Sequence, residues 1–413
     1  MFRFSFQKTS LVPKSFLRKR KEISEYLKKL RLILKERKYN FPESFLNLPE
    51  EKISFFSFSQ ISKKLKLIIV AGIGGSSRGA QAVYGALKNK KNLTEILFLD
   101  ALSPFFLQKI SSQHKELKKG EIAIILSSKS GRTLETLANF FAIFPTIKKY
   151  KPEIFVVTEE NSLLWNLAKI KGWQPFSAPK IIEGRYSVFS NLGLLPLYLA
   201  GVNVQELLLG AKDANEVCLF GNALKNPALA SAMIIFYHWQ SKKAIYSNIV
   251  SPPDLEFFGK WYQQLMAESL GKDRKGITPT VIIGTTDFHS LLQLYLAGPK
   301  DKLFNFVLAE NLDLDYPVPK SKELNLLLPS LQGKSIWELN RAILGGVKRA
   351  FLKKEIPFTE TVLPKLKERN LGFLFQMKMI EMILLAKLME VNPFGQPAVE
   401  LYKEETRKIL KRI

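Results

Sequence analysis

The feature that most constrains the fold is a regular alternation of apolar, β-rich runs and helical stretches between residues 65 and 160. Stretches of 20-odd residues separate the runs, which are LIIVAGIG (67–74), EILFLD (95–100), EIAIILSS (121–128) and EIFVVTEE (153–160). Strands without a polar face, at this spacing, are typical of parallel sheets that helices cover on both faces. The pattern predicts a doubly wound α/β domain, a three-layer α/β/α arrangement, over 60–205.

A second set of β-rich runs follows an apolar helical stretch at 226–240. The runs are AIYSNIV (244–250), TPTVIIGTT (278–286) and KLFNFVLAE (302–310), and they predict a second doubly wound α/β domain over 206–334. From residue 335 onward the chain has long apolar runs and reads as helical. The predicted architecture is therefore two parallel-sheet domains between a basic, mainly helical N-terminal segment, 1–59, and a C-terminal helical region, 335–413.

Composition sets outer limits on function. The chain is 46% hydrophobic and 24% charged, which is typical of a globular protein. It has no uninterrupted apolar run of 18 residues, so no membrane span is expected. The lone Cys218 excludes an internal disulfide and favours a reducing, cytoplasmic location. No two of the three histidines stand at ligand spacing, so no metal site is expected.

Part of the net charge of +25 lies at the N-terminus, where the first 40 residues carry 13 Lys or Arg against three Glu. Within the basic stretch 18–38, Leu27, Leu30 and Leu34 recur at helical spacing. The stretch is either an arm that binds nucleic acid or a basic helix that packs on the body with its charges in water. We favour the second interpretation and expect no nucleic-acid partner.

The glycine-rich loop after the first apolar run is a partial match to a dinucleotide-binding fingerprint. Gly72 and Gly74 begin the pattern G-x-G-x-x-G, but Ser77 stands at the third glycine position. Asp100 ends the next strand, although 28 residues after Gly72 rather than about 20. A nicotinamide or flavin enzyme is therefore a weak alternative. The glycines would still let backbone N–H groups approach another anion.

A second loop, SSKSGRTLET (127–136), follows the third run and opens a helix. It combines the hydroxyl side chains of Ser127, Ser128, Ser130 and Thr133 with the cations Lys129 and Arg132. Hydroxyls, free N–H groups at a helix start and two cations are what a phosphate monoester needs. The simpler alternative is a serine-rich turn with an ordinary helix cap. No purine pocket or magnesium-binding carboxylate accompanies the loop, so the expected ligand is a small phosphorylated metabolite.

Six ordered stretches together carry a specific resemblance. They are GIGGS (72–76), SKSGRTLET (128–136), EGRYSVFSNLGLLPLYLAG (183–201), WYQQLMAESLGK (261–272), GTTDFHSLLQLYLAGPKDKLFNF (284–306) and NPFGQPAVELYK (392–403). Any one of them alone is unspecific. In this order, and over about residues 65–405, they closely resemble the phosphoglucose isomerase (glucose-6-phosphate isomerase) family.

The resemblance implies a pair of sugar isomerase (SIS) domains, a homodimer and no cofactor. It also implies an aldose–ketose isomerase of glycolysis and gluconeogenesis. Such an enzyme interconverts glucose 6-phosphate and fructose 6-phosphate through ring opening and a cis-enediolate. Two alternatives remain open: a non-catalytic SIS-domain protein that senses sugar phosphates, and an isomerase with altered specificity, for example for mannose 6-phosphate.

The resemblance also assigns roles to individual residues. Glu268 is the base that transfers the proton, and Arg185 lies beside the developing enediolate. His289, which the partner subunit contributes, opens the sugar ring, and Lys403 is the C-terminal catalytic lysine. The substrate-binding positions are Gly75, Ser76, Ser128, Lys129, Ser130, Thr133, Gln264 and Gln396.

These residue types suit the chemistry. Imidazole titrates near neutral pH, which suits protonation of the ring oxygen as the C1–O5 bond breaks. A fixed guanidinium 4 Å from the enediolate contributes roughly 4 kcal/mol at an effective dielectric of about 20, or about a thousandfold in rate. Of the other histidines, His238 in the apolar run IIFYHWQ is predicted to be a satisfied core residue, and His114 a surface one.

The C-terminal motif predicts a helix. Gln396 and Lys403 are seven residues apart, which places them on one helical face with Pro397 in the first turn. Lys403 as an ordinary surface lysine is the simpler alternative. Arg78, Arg132 and Gly395 depart from the family's usual residues, and they bear on phosphate geometry and substrate range rather than on the reaction class.

Overall fold

The computed structural model describes residues 2–6, 20–53, 55–90, 92–113, 116–220 and 225–412. Within these residues the chain forms ten strands: β1 (Arg3–Phe6), β2 (Leu67–Ala71), β3 (Glu95–Leu99), β4 (Ile122–Ser127), β5 (Glu153–Thr158), β6 (Gln174–Ser177), β7 (Ile245–Ser251), β8 (Thr278–Ile283), β9 (Lys302–Asn311) and β10 (Phe358–Lys365).

The described residues also form fifteen α-helices. They are α1 (Arg20–Lys35), α2 (Ser59–Ser62), α3 (Arg78–Leu87), α4 (Pro104–Gln113), α5 (Leu134–Ile147), α6 (Leu163–Lys171), α7 (Asn191–Leu199), α8 (Val204–Asn215), α9 (Pro227–Gln240), α10 (Glu256–Leu270), α11 (Phe288–Ala297), α12 (Lys322–Leu327), α13 (Ile336–Lys353), α14 (Glu368–Met389) and α15 (Val399–Leu410). None of these helices is both long enough and apolar enough to cross a bilayer.

The strands form two five-stranded sheets with the orders β3-β2-β4-β5-β6 and β1-β10-β9-β7-β8. Every pairing is parallel except that of β1 with β10. All seven predicted runs are strands, and the predicted fold class of two doubly wound parallel-sheet domains is confirmed.

Both faces of each sheet are covered because successive side chains point to opposite sides. In β2, Ile68 and Val70 pack in a cluster with α3 and α7, whereas Leu67, Ile69 and Ala71 pack against α5. In β8, Val281 faces the cluster of α10, while Ile282 faces that of α11 and α13. A strand buried on both faces has no polar face, which is why the apolar runs predicted parallel strands.

The region from residue 335 differs from the predicted all-helical region. Strand β10 lies within it and pairs in parallel with β9 in the second sheet. The N-terminal segment also adds a strand, since β1 pairs with β10 along the outer edge. The sequence FTETVLPK concealed β10 because its buried Thr359 and Thr361 are polar; their hydroxyls donate to Asn305 Oδ1 at 3.0 and 3.2 Å.

The basic N-terminal helix packs on the body, as favoured from the sequence. Leu27 and Leu30 of α1 are buried in the large apolar cluster that joins the two domains, and Leu34 packs against it. Lys29 forms an ion pair of 2.7 Å with the buried Glu43. Residues 7–19 lie outside the described part of the chain, as does His114.

His238 is a core residue, as predicted, but it is not satisfied. It lies in α9 with 4% of its surface exposed, and neither ring nitrogen has a hydrogen-bond partner among the described residues. Burial, together with the nearby charge of Lys243, lowers the pKa of His238 from 6.5 to about 4. The apolar run around His238 predicted its burial, but a single sequence does not reveal which polar atoms lie within reach of a buried ring.

We expect the His238 ring to make the protein acid-sensitive. The unfolded chain takes up this proton near pH 6.5 and the folded chain only near pH 4. The free energy of unfolding is therefore highest above pH 6.5, and it decreases by about 3 kcal/mol as the pH falls to 4. Urea unfolding of the wild type and of His238→Met at several pH values tests this, since the variant should lose less stability over that interval. An equal loss in both proteins would contradict the prediction.

Candidate active site

The candidate site lies where the strand order of the first sheet reverses. Strand β2 has β3 on one side and β4 on the other, so the loops after β2 and β4 leave the same sheet edge side by side. Ligands of doubly wound sheets bind at such a switch point. The two loops are joined directly, because Ser127 Oγ donates to the Ser76 carbonyl at 2.6 Å.

The loop after β2 is packed tightly against the turn that carries Arg185. A Cβ atom on Gly75 would lie 2.4 Å from the carbonyl carbon of Gly184, so only glycine fits there. Ser77, at the third position of the partial fingerprint, is buried and donates to the Gly72 carbonyl at 2.9 Å. Its side chain closes the loop on itself, and the backbone at Ser76 faces the second loop.

The loop after β4 ends in a helix start that its own hydroxyl does not cap. Thr133 is the N-cap residue of α5, but its Oγ1 lies 2.8 Å from Ser128 Oγ in a hydroxyl–hydroxyl hydrogen bond. The Thr133 side chain accepts no hydrogen bond from the N–H groups of the first turn of α5. The N–H groups of the first helical turn are thus left for an external anion, which the helix dipole also favours.

The cations of this loop have different orientations. Lys129 Nζ donates to the Ile182 carbonyl at 3.0 Å and lies 4.0 Å from Glu159 Oε1, so it points toward the 182–186 segment. Arg132 is exposed, and its backbone N–H donates to Ser130 Oγ at 3.3 Å. Lys129 is therefore the cation that links the loop after β4 to the segment carrying Arg185.

Arg185 is a buried and fixed cation. Its side chain is 0% exposed, and all three of its nitrogens donate: Nε to Ser269 Oγ at 3.0 Å, Nη1 to Glu268 Oε2 at 3.2 Å, and Nη2 to the Pro393 carbonyl at 2.6 Å. A planar guanidinium held at three corners keeps both its charge and its position. Tyr186 adjoins it, and burial raises the pKa of this tyrosine to about 12.

Glu268 is the accessible partner of that cation. It lies in the last turn of α10 with its side chain 26% exposed. Gln264, one turn earlier, donates from Nε2 to Glu268 Oε1 at 2.9 Å. The same Nε2 is 3.2 Å from where a Cβ on Gly74 would stand. A carboxylate open to solvent thus lies beside a shielded guanidinium, at the edge of the first loop.

The C-terminal motif is only partly as predicted. Gln396 and Pro397 precede α15, whose N-cap is Ala398, so Gln396 and Lys403 do not share a helix. The chain turns at Gly395, where φ is +71°, and this turn delays the helix start. Gly395 donates its N–H to Glu183 Oε1 at 3.0 Å, which brings Gln396 beside the Arg185 segment. Lys403 instead pairs with Glu400 at 2.7 Å on an exposed helix.

His289 lies far from Glu268 within one chain. Glu268 stands near the amino end of β8, on the α10 face of the second sheet, and His289 follows the carboxyl end of β8, on the α11 face. The six residues of β8 alone span about 20 Å. His289 is exposed, and its imidazole bonds to no residue in the described part of the chain. A single chain therefore brings Glu268 and Arg185 together without this histidine.

The described residues contain no group of three or more His, Cys, Asp or Glu side chains arranged to hold a metal ion. The polar groups at the switch point are hydroxyls, amides, the Glu268 carboxylate and cations. They suit an anionic, polyhydroxylated ligand.

Comparison with known proteins identifies the family. The phosphoglucose isomerase family model matches residues 51–300. The glucose-6-phosphate isomerase of Methanocaldococcus jannaschii is 34% identical over 348 residues, which are 84% of this chain and 84% of that protein. Among solved structures, a hypothetical protein of Thermus thermophilus has a TM-score of 0.87 at 28% identity, covering 99% of this chain and 100% of that chain.

A solved glucose-6-phosphate isomerase of Chlamydia trachomatis shares the fold. Its TM-score is 0.73 at 21% identity, over 89% of this chain and 72% of that chain. These likenesses confirm the predicted SIS-type fold class. The resemblance inferred from the six motifs is also confirmed, since the family model covers more than half of the chain: this protein belongs to the phosphoglucose isomerase family.

Proposed function

We propose that this isomerase interconverts glucose 6-phosphate and fructose 6-phosphate, with Glu268 moving the proton. The observation that carries the proposal is the pair of an accessible Glu268 carboxylate and the buried Arg185 guanidinium, 3.2 Å apart at the switch point. Family membership makes the chain an isomerase, and the relatives' names supply the substrate. The geometry supports the roles proposed for Glu268 and Arg185.

The isomerisation step needs one base and one fixed cation. Glu268 removes the proton from C2 of the open-chain aldose, the C2 electrons form a C1–C2 double bond, and the C1 carbonyl oxygen takes up the negative charge. Arg185 stabilises this enediolate because its guanidinium is held in place by three protein acceptors. The proton of the C2 hydroxyl passes to O1, which becomes the C1 hydroxyl, and Glu268 returns its proton to C1 as the C2–O bond becomes the ketose carbonyl.

The phosphate group is proposed to bind at the start of α5. Ser128, Ser130 and Thr133 offer hydroxyls, and the uncapped first turn of α5 offers N–H groups. Gly75 and Ser76 form the opposite wall, and Gln264 and Gln396 provide amides for sugar hydroxyls. This binding leaves the sugar carbons toward Glu268, because Gln264 bonds Glu268 and adjoins Gly74.

Ring opening is proposed to use His289 of a second chain, in a cytoplasmic homodimer. The imidazole would protonate O5 as the C1–O5 bond breaks, while the C1 hydroxyl loses its proton to water and becomes the aldehyde carbonyl. The position of His289 on the opposite sheet face from Glu268 supports donation across an interface. A second observation is that α15 buries none of its residues while Leu401, Tyr402, Ile409 and Leu410 stay exposed, an apolar surface that a partner chain would cover. If α15 docks on a partner chain, Lys403 would also come close to an active site of the dimer.

The test is a coupled assay of the purified protein for fructose 6-phosphate conversion in the presence of EDTA. We expect turnover that the chelator leaves unchanged, because the proposed chemistry uses only side chains. Mannose 6-phosphate is assayed in parallel to define the specificity. Binding of fructose 6-phosphate in calorimetry without any turnover would contradict the proposal and favour a sugar-phosphate sensor.

A further inference from the structure

The turn after α10 directs two lysines at the segment that follows α14. Lys272 Nζ donates to the carbonyls of Asn392 and Phe394 at 2.5 and 2.6 Å. Lys275 Nζ donates to the Met389 carbonyl at 3.0 Å, at the C-terminal end of α14. The Lys272 ammonium therefore contacts the loop that leads to Gln396, whereas the Lys275 ammonium contacts the helix end.

The turn at 272–275 has an unfavourable backbone conformation, and it directs both lysine side chains toward the end of α14 and the segment that follows it. Lys275 donates its N–H to the Lys272 carbonyl at 2.8 Å, and the two central residues, Asp273 and Arg274, have φ values of 52° and 57°. Positive φ at both central residues is typical of a type I′ turn, which favours glycine and asparagine. Non-glycine residues hold such conformations only where surrounding contacts maintain them, frequently at functional sites.

The loop 392–395 is held by two cations and one carboxylate. Arg185 donates to the carbonyls of Pro393 and Gly395, at 2.6 and 3.5 Å, and Lys272 binds the alternate carbonyls of Asn392 and Phe394. Glu183 accepts the Gly395 N–H. Four successive carbonyl oxygens thus face positive charge. Helix α15, which follows the loop, adds little to its anchoring because it buries none of its residues within the described chain.

We propose that Lys272 is a positioning residue for the isomerase, which holds the 392–395 loop so that Gln396 lies at the sugar site. This inference rests on the proposed function. Lys272 touches no reacting atom, and it acts through the loop carbonyls. Arg185 donates to the same loop. Release of the loop would therefore remove the Pro393 contact, one of the three that hold the guanidinium proposed to stabilise the enediolate.

The charge on Lys272 is sensitive to pH. Burial, and then the like charge of Arg185, lower the pKa of Lys272 to about 8 from its ordinary 10.5. Glu183 from the same turn as Arg185, Glu268 from α10 and Asp273 from its own turn act in the opposite direction. The ammonium is therefore present below pH 8 and is lost as the pH rises through that value, which weakens the hold on the loop.

Three variants test the inference. Lys272→Met should lower kcat/KM for fructose 6-phosphate by about a hundredfold, since misplacement of a site by 1 Å has effects of this size. Lys272→Arg should retain activity at neutral pH, and the fall in activity expected of the wild type above pH 8 should move at least one pH unit higher, because a guanidinium stays charged. Lys275→Met, the matched control on the same turn, should keep the wild-type pH profile.

A second measurement does not depend on catalysis. Amide hydrogen exchange at 391–398, measured at pH 7, should be faster in Lys272→Met than in the wild type and unchanged in Lys275→Met. Equal exchange in all three proteins, or identical alkaline limbs for the wild type and Lys272→Arg, would overturn the inference. An inactive wild type with faster exchange in Lys272→Met would instead refute the proposed function and leave the loop contact supported.

Discussion

Replacement of Glu268 by glutamine should reduce kcat for fructose 6-phosphate by roughly a thousandfold, the usual contribution of a positioned general base. Glutamine keeps the length of the side chain and an oxygen for the Arg185 Nη1 donor, which lies 3.2 Å away. It cannot accept the C2 proton. We therefore expect KM to change little, since the phosphate and hydroxyl contacts lie on other residues, and kcat to carry the loss.

A matched control lies on the same helix. Glu256 is the first residue of α10, at the end remote from Arg185, and Glu256→Gln makes the same chemical change. The coupled assay should find this variant close to wild type. Thermal unfolding of both variants excludes misfolding as the cause. Wild-type turnover in Glu268→Gln would remove Glu268 from the proton-transfer role.

Two inactive variants should restore activity to each other. Glu268→Gln and His289→Asn each leave every site of their own homodimer incomplete, if the histidine comes from the partner chain. A mixed dimer has one site with both native residues and one with neither. Random mixing makes half of the dimers mixed, so about a quarter of wild-type activity should return. The assay is run on co-expressed, differently tagged chains.

The geometry within one chain makes this a sharp test. Glu268 and His289 lie at opposite ends and on opposite faces of β8. If both residues served the same chain, no site in a mixed dimer would be complete, and recovery would be absent. The double variant carrying both substitutions on one chain is the control: its random mixture with wild type should keep about a quarter of the activity if the histidine crosses the interface, because both sites of a mixed dimer are then incomplete, and about a half if it does not. Absence of recovery in verified mixed dimers would refute donation across the interface.

The fold was largely predictable because buried parallel strands are recorded in local sequence. Runs such as that of β2 have no polar face, so their burial on both sides follows directly from composition. β10 escaped prediction because Thr359 and Thr361 satisfy their hydroxyls on Asn305, from the neighbouring strand. Such pairing is a property of two distant segments, and no local pattern records it.

The candidate site was also predictable only in part. The loops after β2 and β4 were recognisable from their residues, and the switch point brings them together. Lys272 and Glu183 lie within the ordered motifs but were not predicted to be site residues. The available signal was that each is a charged residue close in sequence to Glu268 or Arg185. Their role depends on the carbonyls of Asn392 and Phe394 and the N–H of Gly395, backbone groups more than 100 residues away. Backbone partners leave no trace in side-chain identity.

The sequence by itself determined the family, the two parallel sheets and the residue types proposed to carry proton transfer, because these depend on local periodicity and on ordered motifs. Tertiary structure decided which groups meet. It buried Arg185 against Glu268, engaged the Thr133 hydroxyl so that α5 remains uncapped, and separated His289 from Glu268 by the thickness and length of a sheet. The physical reason is that distances between side chains of different elements are set by packing and strand order, which act over the whole chain.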